Sequence, residues 1–250
     1  REKYGLPPFD VSEKNVHILP PDLFKRAFND SPALANHDPY QQIITANSEK
    51  LRYQDNRLSV ASSLFHELEH LQGFVSLDAR QKDDKIKRST RRIGLAISES
   101  YAKSDEDEWY ESFKGLNEAV VSELEQRYAE EVASASSDQT TQEELKWLNS
   151  EEALSLKKKA VENGNFSEDE ILWISRDGKR WLSKPYRQHR RVLKYIVEQV
   201  SEDFSETIEE IYDRFFKSHF TGNILEIGKL IERTFGPGQF RVLGMMSANY

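Results

Sequence analysis

The chain has 250 residues, with 35 Lys and Arg against 43 Asp and Glu, a formal net charge of -8 and no cysteine. Without sulfur there is no disulfide scaffold, Cys-based zinc finger, iron–sulfur cluster or thiol nucleophile, so any metal must be held by carboxylates and the six histidines. The acidic balance argues against nucleic acid as a partner, and no apolar run approaches the roughly 20 residues of a membrane span. The length suits one large domain or two small ones. Because the chain opens at Arg1 rather than Met, a processed or trimmed chain is expected. Lack of cysteine fits either redox setting, and a soluble, cytoplasmic protein is favoured.

Short strands in a turn-rich setting are expected over the first fifty-odd residues: Val16–Leu19, stopped by Pro20-Pro21, then Gln41–Ala46, then Leu51–Val60 with breakers at Asp55-Asn56. From Ser59 the period changes. Val60, Leu64, Leu68 and Leu71 fall three or four apart, which predicts a helix with one apolar face, capped by Ser59 and ending near Gly73. The basic run at 80–92 is expected as a solvated loop or ribbon; it holds no aromatic residue to stack a base. A strand at Ile93–Ile97 and an acidic loop at 104–108 follow, and Gly115 precedes a second helix from Leu116 to about Val132.

Residues 134–143 are small and polar without a period, which places a linker or loop within 134–150. Beyond it the chain is mainly helical. Ile171–Ser175 and Arg180–Leu182 around Asp177-Gly178 suggest a hairpin, and helices are expected at 186–202, 205–219 and 223–235. The division implied is a core at 1–133, the polar segment, and a helical subdomain at 151–250 that completes a cleft. The class is α+β.

His66-Glu67-Leu68-Glu69-His70 has the HExxH pattern and lies on the best-defined helix. Two histidines four apart are separated by roughly 40° around a helix, so both imidazoles can share one cation. Glu67 sits about 80° to one side, where a carboxylate can reach a water on the metal without being a ligand. Small residues, Ser62, Ser63 and Gly73, share the ligand side and leave room for a substrate.

Catalytic zinc needs a third protein ligand and one open position. A third His on the extended motif would fall at position 76, which is Ser76. Asp78 is an oxygen donor just past the helix, with nothing around it to support the choice. Glu118, in Gly115-Leu116-Asn117-Glu118-Ala119, lies beside the apolar face of Val120, Val121, Leu124 and Tyr128, where a carboxylate is costly unless paired or metal-bound. Ser122, one turn on, is placed to orient a ligand.

The HELEH segment followed by a helix carrying Asn117-Glu118-Ala119 resembles the gluzincin branch of the zincin metallopeptidases, in the compact minigluzincin form. The likeness covers about residues 40–130. It implies a zincin-like fold: a small N-terminal mixed sheet whose edge strand binds extended peptide, then the active-site helix, then the helix bearing the glutamate. The sequence departs from the family's NExxSD pattern, because Ser122 stands where that pattern has Asp. The expected function is hydrolysis of a peptide or protein substrate with one Zn²⁺ per chain, held by His66, His70 and Glu118, with Glu67 moving the proton from water to the leaving amine. The alternative is a catalytically silent zincin-like sensor or regulatory domain. A donor to the developing oxyanion is also needed. Tyr186 and His189 share the apolar side of a helix with Leu193, Ile196, Val197 and Val200, and both are candidates for that role. His17 and His37 are assigned no function, and His219 suits a helix-end capping role.

Overall fold

The computed structural model describes residues 1–28, 33–53, 57–82, 85–101, 108–163, 172–175, 177–179 and 181–248. Near its start, β1 (Val16–Leu19) runs parallel to β3 (Ile43–Asn47), and β2 (Ala35–Asp38) pairs antiparallel with β3, so a small mixed sheet has the order β1-β3-β2. Helix α1 (Pro21–Ala27) connects β1 to the β2 region and buries Phe24 completely. A short α2 (Ser48–Tyr53) leads to α3 (Arg57–Gln72). Leu64, Leu68 and Leu71 of α3 pack on Ala35, Ile44 and Ala46 of the sheet, which is the apolar face expected from the spacing.

The expected strand at Leu51–Val60 is instead the end of α2 and the start of α3. Asn47 Oδ1 accepts the Glu49 N–H at 3.0 Å and opens α2. The first N–H groups of α3 are taken by a distant carboxylate, Glu144, at 2.8 Å each from Arg57 and Leu58. The helix therefore begins two residues before Ser59. The breaker positions 55 and 56 lie outside the described residues.

After α3 the chain forms an antiparallel meander of β4 (Val75–Lys82), β5 (Lys85–Ile93), β6 (Ala96–Tyr101) and β7 (Glu108–Ser112). The basic run is thus a ribbon, as expected, with Arg91 3.6 Å from Asp78 and the Arg92 guanidinium over the Phe74 ring. The strand expected at Ile93–Ile97 is broken in the middle by the β5–β6 turn, where Gly94 has φ +56°. A Cβ on Gly94 would lie 2.3 Å from His219 Nδ1 and 2.4 Å from Asn117 Oδ1, so the turn requires glycine on both counts. The acidic loop at 104–107 lies outside the described residues.

Helix α4 (Lys114–Ala135) is the element shared by both halves. Leu116, Ala119 and Val120 enter the main core together with Leu95 and Phe113, and the rest of it comes from α7 (Arg187–Phe204), α8 (Ile208–Thr221), α9 (Ile224–Phe235) and α10 (Gln239–Gly244). Its neighbouring face, Glu118, Ser122 and Glu125, is also buried and looks toward α3. The segment expected as a linker is mostly helix: α5 (Gln139–Leu148) starts on Asp138, whose carboxylate accepts the Thr141 N–H at 2.8 Å, and α6 (Glu151–Glu162) starts on Ser150. The hairpin is present as β8 (Leu172–Ile174) and β9 (Trp181–Ser183). Among the described residues no helix is long and apolar enough to cross a membrane.

Phe215 is fully buried in the main core. Phe215→Ala should lower the unfolding free energy by about 3–5 kcal/mol, read as a lower denaturant midpoint at unchanged slope. A loss below about 1 kcal/mol would mean that these helices do not share one core.

Candidate metal centre

Packing of α3 on α4 brings three buried donors together. His66 Nε2 lies 3.2 Å from His70 Nε2 and 3.2 Å from Glu118 Oε2, and His70 Nε2 lies 3.3 Å from that oxygen. The three atoms form a nearly equilateral triangle. A tetrahedral zinc with bonds of roughly 2.0–2.1 Å sets its donors about 3.3 Å apart, so the spacing fits the ion. Hydrogen bonds alone do not explain it: a corner angle of about 60° lets one N–H point along only one edge. The residues are 8%, 3% and 8% exposed, and His66, His70 and Glu118 can hold a metal ion.

The electrostatics of the bare cluster point the same way. Burial opposes charge on His66, but hydrogen bonds to Glu118 and Glu125 and the nearby Glu67 outweigh it and raise its pKa to about 10. Burial lowers the pKa of His70, against the pull of Glu118. Glu118 is held well below the usual carboxylate range: burial opposes its charge, and the two imidazoles overcome that opposition. A cation held between the three donors would act in the same direction as the charge that these neighbours favour on His66.

Supporting groups fix the ligands. His66 Nδ1–H donates to Glu125 Oε2 at 3.1 Å, which leaves its Nε2 lone pair for a metal. Glu125 Oε1 accepts a short hydrogen bond from Ser62 Oγ, and Lys184 Nζ lies 3.5 Å from Glu125 Oε2. Behind His70, Asn117 Nδ2 lies 3.3 Å from His70 Nδ1, while Asn117 Oδ1 accepts the Leu95 N–H at 2.9 Å and lies 3.1 Å from His219 Nδ1. His219 Nε2 is 3.1 Å from the Glu69 carbonyl in the last turn of α3. Burial pushes the pKa of His219 down to about 4, and its ring is wedged between α3 and α4. Ligation by His70 Nε2 puts that ring's proton on Nδ1, which asks Asn117 for its oxygen rather than its nitrogen.

A cavity of about 350 Å³ opens beside the triad, lined in part by His37, Glu67, Ser98, Lys114 and Tyr186. Glu67 Oε2 accepts from His37 Nδ1 at 2.8 Å, and the His37 ring stacks on His70 with centroids 4.6 Å apart. Tyr186 precedes α7 with φ 61°, a left-handed conformation that costs a Tyr about 1–2 kcal/mol. Its ring lies parallel to His66, centroids 5.8 Å apart and planes 7° apart. Tyr186 thus lines the cavity from just ahead of α7 rather than from the helix's apolar side.

Two expectations need correction. His189 does not line this cavity; its Nε2 lies 2.5 Å from the Ser247 carbonyl and its ring packs against Gly115, so it anchors the C-terminal segment to the start of α4. Ser122 is fully buried, but its hydroxyl makes no hydrogen bond among the described residues, and the support for His66 comes from Glu125. Asp78, which nothing in the sequence supported as a ligand, lies on β4 with its carboxylate 3.6 Å from Arg91 and is not one of the three clustered donors. Among the supporting groups, His37, Asn117, Glu125 and His219 went unassigned as site residues. Glu125 alone carried a local signal, since seven residues after Glu118 is two helical turns on the same face.

No protein-family model, curated protein or solved structure matches this chain.

Glu118→Ala should abolish stoichiometric metal binding in the purified, refilled protein. Glu125→Gln should weaken zinc by about 10–100-fold, measured by competition with a chromogenic chelator. Ser122→Ala should leave zinc affinity unchanged, and a drop matching that of Glu125→Gln would restore Ser122 to the support of the site.

Proposed function

We propose that the chain is a single-zinc peptidase with a zincin-like catalytic core. The observation that carries this reading is the buried triangle of His66, His70 and Glu118, with a carboxylate, Glu67, beside an open cavity. Two nitrogens and one oxygen leave a tetrahedral ion one free position, the arrangement of hydrolytic zinc. A bound zinc would act as a Lewis acid, polarising a peptide carbonyl and acidifying water.

The chain's own groups supply the rest. Glu67 does not belong to the triangle, so its carboxylate is left to accept a proton from water and deliver it to the leaving amine. His37 holds Glu67 Oε2 through Nδ1–H and fixes the direction of that carboxylate. Tyr186, held over His66, is the group best placed to donate to oxygen as charge develops there. The small mixed sheet has two edge strands, β1 and β2, and β2 is the one that carries Asn36 and His37 to the wall of the cavity. It offers backbone groups to an extended peptide next to the cavity.

Glu67→Gln should retain one zinc per chain while peptide hydrolysis falls by about 10²–10⁴-fold, assayed on a quenched peptide library. Full activity in this variant, wild-type protein that cleaves no peptide, or purified protein that takes up iron in preference to zinc would each overturn the reading. Tyr186→Phe should lower kcat by about 10²-fold with little change in KM. An equal change confined to KM would assign Tyr186 to substrate binding instead.

A further inference from the structure

A second cavity, of about 670 Å³, lies among the C-terminal half of α4, helices α5 and α6, and the β8–β9 hairpin. Its wall is braced locally. Trp147 Nε1 on α5 donates to the Ile174 carbonyl of β8 at 3.2 Å, and Ser150 Oγ accepts the Ala153 N–H to start α6. Leu145, Leu154 and Trp173 give the cavity an apolar body.

Its charge is opposite to that of the chain. Among the described lining residues are Lys146, Lys157 and Lys184 and no Asp or Glu, in a protein of net charge -8. Lys146 is exposed and Lys157 half-buried, whereas the Lys184 side chain is only 3% exposed. An ammonium buried to that degree is costly unless it is well paired. Its contact with Glu125 Oε2 is 3.5 Å, long for a charge-assisted hydrogen bond, and an ammonium has three N–H groups to satisfy. Lys184 thus lines the cavity as a buried amine whose ion-pair contact among the described residues is the long one to Glu125.

We propose that this cavity binds an amphipathic monoanion, a single carboxylate head on an apolar body, with the head on Lys184 and the body against Trp173, Leu145 and Leu154. Lys146 and Lys157, nearer solvent, steer the anion inward. The inference goes beyond the peptidase reading and does not depend on which reaction the metal centre carries out. It does have a consequence there. Lys184 touches Glu125, and Glu125 accepts the Nδ1–H of His66, so an occupant sharing that ammonium alters the support of a metal ligand. Occupancy and metal affinity are then linked, by the same factor in each direction.

Isothermal titration of the full chain with decanoate and with decanol, which has the same tail without the charge, tests the site. Decanoate should bind once per chain and decanol about tenfold or more weaker, a gap of roughly 1.4 kcal/mol. Lys184→Met should weaken decanoate by about tenfold, and the double variant K146Q/K157Q, which leaves Glu125 and its partners intact, by about threefold. No binding, or equal binding of the two ligands, overturns the site. Decanoate affinity unchanged in a folded Lys184→Met protein overturns the head-group placement; where that variant does not fold, unchanged affinity in K146Q/K157Q overturns the electrostatic argument. Zinc affinity, measured with and without saturating decanoate, should differ, and identical values overturn the link to His66. Loss of peptidase activity alone bears on none of these readouts, so failure of the two readings can be told apart.

Discussion

The buried contact between α3 and α4 is the constraint on which the rest of the molecule depends. Across it lie two imidazoles and two carboxylates, His66, His70, Glu118 and Glu125, each less than a tenth exposed. Groups of this kind are removed from water at high cost unless each finds a partner of opposite charge or a hydrogen bond. The contact is therefore stable only in a few arrangements, in which Glu125 faces His66 Nδ1 and Glu118 faces both Nε2 atoms. An apolar seam would tolerate sliding; this one does not. The stacked rings of Phe65 and Tyr128, centroids 3.9 Å apart, close the same seam nearby.

Helix α4 makes that constraint felt throughout the chain. One face carries Glu118 and Glu125 to the triad, and the neighbouring face carries Leu116, Ala119 and Val120 into the helical core. Its start is held by the far end of the chain, since Phe113 and Gly115 donate their N–H groups to the Gly244 and Met246 carbonyls at 2.8 and 2.9 Å. Movement of the C-terminal helices is thus resisted by the same element that presents Glu118 to the triad.

What could be read from the residues alone follows from the range over which each signal acts. The spacing of His66 and His70, the apolar repeat Leu64-Leu68-Leu71 and the amphipathic helices after position 186 are properties of one helix turn or its neighbour, and these correspond closely to α3, α7, α8 and α9. The errors arose where distant groups decide. Residues 57–58 are helical because Glu144 satisfies their N–H groups from 86 or 87 positions away. Residues 134–143 show no apolar period, yet α5 starts within them on the Asp138 cap, and its Glu144 and Trp147 are held by partners on α3 and β8 that no local pattern marks. His37 and His219 join the site from a strand and a helix far apart in the chain, with no local pattern that marks them. Ser122 was expected to orient a ligand because it stands one turn from Glu118; Glu125, two turns away, has the longer side chain and the charge that His66 requires.

The division into a core and a C-terminal subdomain also looks different in this light. The helical half is not a cover laid on a finished site. Tyr186 lies over His66, His219 fills the space behind Asn117, and Lys184 lies beside Glu125. Each reaches one of the groups that hold or support the triad, and His219 does so at zero exposure, against two glycines that leave no room for a Cβ. A fragment ending before residue 150 would retain His66, His70 and Glu118 and lose these three neighbours. Glu125 would keep Ser62 and His66 but not its ammonium, and the end of α3 would lose the imidazole beside the Glu69 carbonyl. The geometry at His66, His70 and Glu118 therefore depends on both halves of the chain, even though all three residues lie within its first half.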